Sequence, residues 1–114
     1  MTPQPKRKLI RDPKYLSWIR TLPCAICGKP APSEAMHQRC LGGGGMGLKP
    51  SDHETLPGCK SVPDRIGCHM FEQQFGFLLL WEERGGIKFA DKIEMNSHIS
   101  TLCQTLKKTY EKQT

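Results

Sequence analysis

The sequence predicts a small α+β domain, in which a ββα element is pinned by a four-cysteine zinc knuckle and flanked by N- and C-terminal helices. Three observations predict it. Cys24 and Cys27 stand in a C-x-x-C, and a second pair follows at Cys59 and Cys68. Two short stretches, 35–38 and 53–56, read as strands on either side of a long glycine-rich loop. Apolar residues recur at helical spacing before the first cysteine pair and after the second.

The elements follow in chain order. Residues 1–11 form a basic tail with Lys6, Arg7, Lys8 and Arg11, and residues 12–114 form a single domain whose motif-bearing core is 24–76. In "RDPKYLSWIRTLPC", Asp12 suits the N-cap and Pro13 the first helical position. Tyr15, Trp18, Ile19 and Leu22 share one face of that helix, and Pro23 ends it. "CAICGKPA" is a tight turn aiming two thiolates at one point, with Gly28 permitting the turn. After the second strand, Pro57 and Gly58 turn the chain at "LPGC". A helix from His69 reads "HMFEQQFGFLLLWEE", with Phe71, Phe75, Leu78 and Leu79 on its buried face and a kink at Gly76. Gly85 and Gly86 end it. The last helix, about 96–111, aligns Ile99, Leu102, Cys103, Leu106 and Tyr110, and exposes Lys107, Lys108 and Lys112.

Composition limits what such a chain can do. At 114 residues it buries a modest core, and its mean hydropathy of −0.51 makes that core lean. Six cysteines offer reinforcement. The polar, basic N-terminus has no apolar stretch of a secretory signal, and the longest apolar run, Phe75 to Trp81, is too short to span a bilayer. A cytoplasmic chain is expected, and clustered cysteines there bind metal more often than they form disulfides. A net charge of +6 and a pI near 9.1 favour nucleic-acid phosphates as partner over a membrane.

Zinc in a structural role takes four such ligands in a tetrahedron. The first pair has ideal knuckle spacing. The second is looser, because eight residues separate Cys59 from Cys68. His69 and Cys40 are therefore rivals for the fourth position, whereas Cys103 reads as a small core residue. The same zinc would hold His37, on the first strand, opposite His69 at the start of the helix. A histidine near neutral pKa takes a proton from water, and a divalent cation beside it stabilises the leaving oxygen of a phosphodiester. Arg39, Lys49, Lys60 and Arg65 surround the pair as candidate phosphate contacts, with no sign of base-specific readout. His53 and His98 have no motif support and read as ordinary surface histidines.

These residues resemble the HNH, or ββα-metal, endonucleases in the zinc-stabilised form common in phage and prophage genes, and the Ref-like recombination nucleases among them. The resemblance runs from about Lys14 to Gly76. It rests on "YLSWIRTLPCAICGKP", "EAMHQ", "GGGMGLKPSD", "LPGC" and "CHMFEQQFG". It implies that His37 is the general base, that His69 sits by the metal or phosphate, and that Cys24, Cys27, Cys59 and Cys68 hold zinc. Gly42 to Asp52 matches the loop between the family's strands. Relatives carry a metal-binding Asp or His directly before the base, where this chain has Met36. They carry His or Asn four residues after the middle histidine, where this chain has Gln73. His69 and Gln73 would then share a catalytic Mg²⁺ or Mn²⁺, completed by Asp52, Asp64 or Glu72, or by phosphate and water. The insertion SVPDRIG inside the second cysteine pair is a further departure. The function implied is metal-dependent cleavage of DNA with low sequence specificity, in recombination or DNA processing. The alternatives are a zinc-stabilised DNA-binding module that lost its catalytic metal, and a protein-binding adaptor.

Overall fold

The computed structural model describes residues 10–41 and 51–113. Helix α1 spans Pro13–Ile19 and strand β1 spans Glu34–His37. A single 3₁₀ turn follows at Arg39–Leu41, and strand β2 spans Thr55–Gly58. Helices α2 (Cys68–Phe75), α3 (Phe77–Glu83) and α4 (Lys92–Gln113) complete the order. The fold is thus a two-stranded antiparallel sheet with four α-helices among the described residues, none of them long and apolar enough to cross a membrane.

Helix α1 begins as the sequence dictates, with the Asp12 carboxylate accepting a bond from the Tyr15 N–H at 3.2 Å and Pro13 in the first position. It is shorter than expected: regular helix ends at Ile19, and Thr21 and Leu22 close a turn onto Trp18 and Ile19. Tyr15 and Ile19 are fully buried. Tyr15 and Trp18 meet Tyr110 of α4 at ring-centroid distances of 5.1 and 5.2 Å, which ties the two ends of the described chain together.

The strands pair Glu34 with Gly58, Ala35 with Pro57, Met36 with Leu56, and His37 with Thr55. The second strand therefore lies two residues later than expected, and Pro57 and Gly58 belong to it rather than to a turn. Pro57 lacks an N–H, which an edge strand tolerates. Its carbonyl is used instead, accepting from the Ala25 N–H at 2.8 Å and so fixing the cysteine knuckle to the sheet. Strand alternation sends Met36 and Leu56 into the core, both fully buried.

The helix expected from His69 is two helices. Gly76 has φ +88°, a left-handed value that ends α2 and lets α3 set off in a new direction. The break changes the rotational phase, so only part of the expected face is covered: Phe71 and Leu78 pack against the core. Leu80 and Trp81 enter the core, while Phe75 and Leu79 are exposed. Helix α4 starts four residues before the expected Asn96. Asp91 caps it by accepting from the Glu94 N–H at 2.9 Å, and Glu94 reaches back to the Ala90 N–H at 2.8 Å. Its Met95, Ile99 and Cys103 pack with Met36, Leu56, Leu80, Trp81, Cys24, Cys59 and Cys68 in one core.

Candidate functional site

The knuckle and the second cysteine pair converge. The sulfurs of Cys24, Cys27, Cys59 and Cys68 all lie within 4.8 Å of one another. This donor set and spacing suit tetrahedral zinc. The rivals fall away: Cys40 packs against the core, and His69 turns its Nδ1 to Glu34 at 3.2 Å. The eight-residue spacing works because 60–67 folds back on itself. Val62 and Arg65 exchange backbone hydrogen bonds at 2.9 and 3.1 Å, and Ser61 Oγ accepts from the Gly67 N–H at 2.9 Å. A Cβ at Gly67 would stand 2.2 Å from the Cys59 carbonyl oxygen, so only glycine lets the two arms approach this closely.

Backbone N–H groups point at the sulfurs. Those of Ile26 and Cys27 lie 3.4 and 3.5 Å from Cys24 Sγ, and that of Cys68 lies 3.2 Å from Cys59 Sγ. Two arginines add charge. Arg65 donates to Cys59 Sγ at 3.6 Å and Arg84 to Cys68 Sγ at 3.8 Å. Arg65, expected as a phosphate contact, is exposed and turned to the sulfurs of Cys27 and Cys59, which hold its guanidinium charged still more firmly than usual. Arg84 had no motif to announce it, since it lies sixteen residues beyond Cys68, just past the end of α3. It also donates to the Ile66 carbonyl at 2.9 Å and covers the Phe71 ring at 4.8 Å.

Between α1, β1 and α2 lies a cavity of about 290 Å³. His37 and Ala35 reach it from β1, Leu16 and Arg20 from α1, and His69, Glu72 and Gln73 from α2, with Arg39 at its edge. The sequence-predicted His37, His69, Gln73 and Arg39 are thus brought together. Lys60 is exposed and outside the cavity lining, and Lys49 lies outside the described residues. Met36 points away into the core, so the position before His37 offers the cavity no ligand. Asp64 is exposed and does not line the cavity.

Asp52 has a different part from the one expected of it. Its Oδ1 lies 2.9 Å from His37 Nε2, and its Oδ2 accepts from the Asp12 N–H at 2.7 Å. Burial pushes its carboxyl up, yet the bond from His37, the Asp12 N–H and the Arg11 charge outweigh that and hold it below the ordinary range. The segment before α1 is clipped to the same place. Ile10 exchanges bonds with Ser51 Oγ at 3.0 Å and the Asp52 N–H at 2.8 Å, so the last residues of the expected basic tail are fastened here. A parallel pair sits alongside: His53 Nε2 lies 3.0 Å from Asp12 Oδ2 and packs edge-on to Tyr15 at 5.0 Å. His53 is therefore half-buried and paired rather than an ordinary surface residue. His98 is likewise half-buried, against Trp81 and Phe89 at 5.2 and 5.3 Å.

Glu72 is the cavity's carboxylate. Burial pushes its pKa up, against the pull of the His69 and Arg39 charges. Sequence left Asp52, Asp64 and Glu72 as alternatives for completing a metal site; of these Glu72 lines the cavity and Asp52 is engaged with His37.

A small α+β protein with a four-cysteine cluster suited to a metal ion and a histidine-lined cavity is what fold and site define. The chain belongs to the family described as "Protein of unknown function (DUF968)", which it matches over residues 1–87. It is also similar to the "Uncharacterized protein YdfU" of Escherichia coli (strain K12), 38% identical over 74 residues. That similarity covers 63% of this chain and 21% of the relative, so the chain spans about a fifth of that protein's length. No solved structure matches it.

Proposed function

We propose that the protein is a metal-dependent DNA endonuclease of the HNH type, with zinc on the four cysteines as a structural ion. The observation that carries this reading is the meeting of His37, His69, Glu72 and Gln73, with Arg20 and Arg39, in one cavity, where His69 directly follows Cys68 of the cysteine cluster in α2. The order β1, β2, α2, with the histidines on β1 and α2, suits the ββα arrangement.

In this reading His37 is the base. Its Nε2 is engaged by the Asp52 carboxylate, which leaves Nδ1 to take the proton of the attacking water. Asp52 fixes the ring and balances the imidazolium charge that forms. Arg20 and Arg39 draw the phosphate backbone to the cavity. His69, Glu72 and Gln73 would hold a divalent cation. The half-buried Glu72 carboxylate, with no hydrogen bond to it among the described residues, fits that role, and oxygen donors suit Mg²⁺ or Mn²⁺. When bound, such an ion stabilises charge on the phosphate and on the leaving oxygen.

The test is plasmid nicking with Mg²⁺ or Mn²⁺ by wild type, His37→Ala and Glu72→Gln, each checked for bound zinc. Loss of a general base costs about 10²–10⁴-fold, so His37→Ala should be nearly inactive while keeping its zinc. A second reading is favoured by one observation, the burial of Met36 where a metal ligand is expected. On that reading the chain binds DNA with steep salt dependence and cuts none. Zinc-loaded wild type that binds but never nicks would decide for it.

A further inference from the structure

A second cavity, of about 510 Å³, adjoins the first, and Arg39 lines both. We propose that it receives an unpaired nucleobase, so that the substrate is single-stranded DNA; the inference rests on the nuclease reading above. Phe75, Phe77, Leu78, Met95 and Lys92 line it together with Arg39. The break at Gly76 is what places Phe75 and Phe77 from two helices around one space.

Phe75 is the telling residue. It is 53% exposed, although the helical pattern marks it for burial. It is also held in place, its ring 4.8 Å from that of Phe71, which in turn lies under Arg84. An exposed aromatic with a fixed ring is a stacking platform, and every base has a π face to offer it. Arg39 and Lys92 supply positive charge, and no carboxylate among the described residues lines the space. That combination suits a base whose phosphates run past the rim toward the first cavity. It does not suit duplex DNA, whose bases are already stacked and must be flipped out at a cost of a few kcal/mol.

The experiment uses the zinc-loaded full chain with one oligonucleotide, single-stranded or annealed to its complement, in Mg²⁺ or Mn²⁺. Wild type should bind and cut the single strand better than the duplex. Phe75→Ala should weaken single-strand binding about tenfold. Lys92→Gln should flatten the salt dependence by roughly 0.7 in log–log slope, one phosphate contact. Ile93→Ala, at a side chain 80% exposed and outside the cavity lining, should change neither. A 2-aminopurine in the strand should change fluorescence on binding wild type and not on binding Phe75→Ala. Equal cleavage of both forms, or a Phe75→Ala variant that binds single strands like wild type, would overturn the base pocket while His37-dependent cleavage kept the nuclease reading alive. Failure to bind or cut any strand would overturn both.

Discussion

Removing the ion from the four cysteines should unfold the domain, and the structure says why. Structural zinc in small domains contributes roughly 10–16 kcal/mol in apparent binding free energy. A whole domain of ordinary size is stable by only about 5–15 kcal/mol. The cluster is also where three parts of this fold are joined. The Ala25 N–H ties the knuckle to the edge of β2, the Cys59 carbonyl accepts from the His69 N–H at 3.3 Å, and Cys68 is the first residue of α2. Without the ion, four sulfurs within 4.8 Å of each other lose the bonds that would hold them together, and the two four-residue strands are marginal by themselves. The assay is zinc content per chain with a thermal melt, before and after a strong chelator, on wild type and single Cys→Ser variants. Wild type should carry one zinc per chain. Cys24→Ser, Cys27→Ser, Cys59→Ser and Cys68→Ser should each lose it and melt at or below room temperature. Cys40→Ser and Cys103→Ser should keep it, because Cys40 is only packed against the core and Cys103 is buried on α4. An unchanged melt after chelation, or zinc lost on Cys40→Ser, would refute the reasoning.

Gly67→Ala places a Cβ on the Cys59 carbonyl and should cost about 1–3 kcal/mol and weaken zinc retention, measured by denaturant melts and competition with a chromogenic chelator. Asp91→Ala removes the α4 cap and should cost about 1 kcal/mol in the same melts with nicking unchanged, since the cap touches neither cavity. Asp52→Asn should keep zinc and fold but slow nicking roughly a hundredfold, because His37 loses the carboxylate that fixes its ring. Glu72→Gln should melt higher than wild type at neutral pH: burial raises the Glu72 pKa above 4.5, so its ionised form destabilises the fold. That advantage should narrow as pH falls toward mildly acidic values and Glu72 takes up its proton, and a constant difference would place the carboxylate in water.

What the sequence made legible was whatever depends on neighbours along the chain. The α1 cap at Asp12 and Pro13, the knuckle at Cys24 and Cys27, and the apolar stripe of α4 each follow from local spacing. What it hid depends on tertiary closure. Helix propensity carried the reading straight through Gly76, because a glycine costs a helix only about 1 kcal/mol and a kink was the milder expectation. The register of β2 was hidden because Pro57 reads as a turn residue, and only the edge position and the carbonyl bond from Ala25 explain why it pairs. The D-x-x-E cap at Asp91 and Glu94 was legible in principle, since that spacing ahead of Met95 is a capping box.

Met36 shows how the site can be read once both levels are in hand. Its neighbour His37 faces the cavity, and strand alternation then requires residue 36 to face the core. A hydrophobic thioether, fully buried against β2, is what such a position needs. A hard ligand there would be a buried charge with nothing to pair it. The carboxylates must therefore come from elements outside β1, and two do. Asp52 arrives from the loop before β2 and binds His37, while Glu72 arrives from α2 and its carboxylate stays without a hydrogen bond among the described residues. Division of labour follows from these environments. The carboxylate already bonded to an imidazole and a backbone N–H is suited to orienting the base, and the one held half-buried and poorly paired is suited to a cation. Substituting Met36→Asp should consequently destabilise the core instead of restoring a ligand, and a folded Met36→Asp variant with tighter Mn²⁺ binding would show that β1 can turn its other face to the cavity.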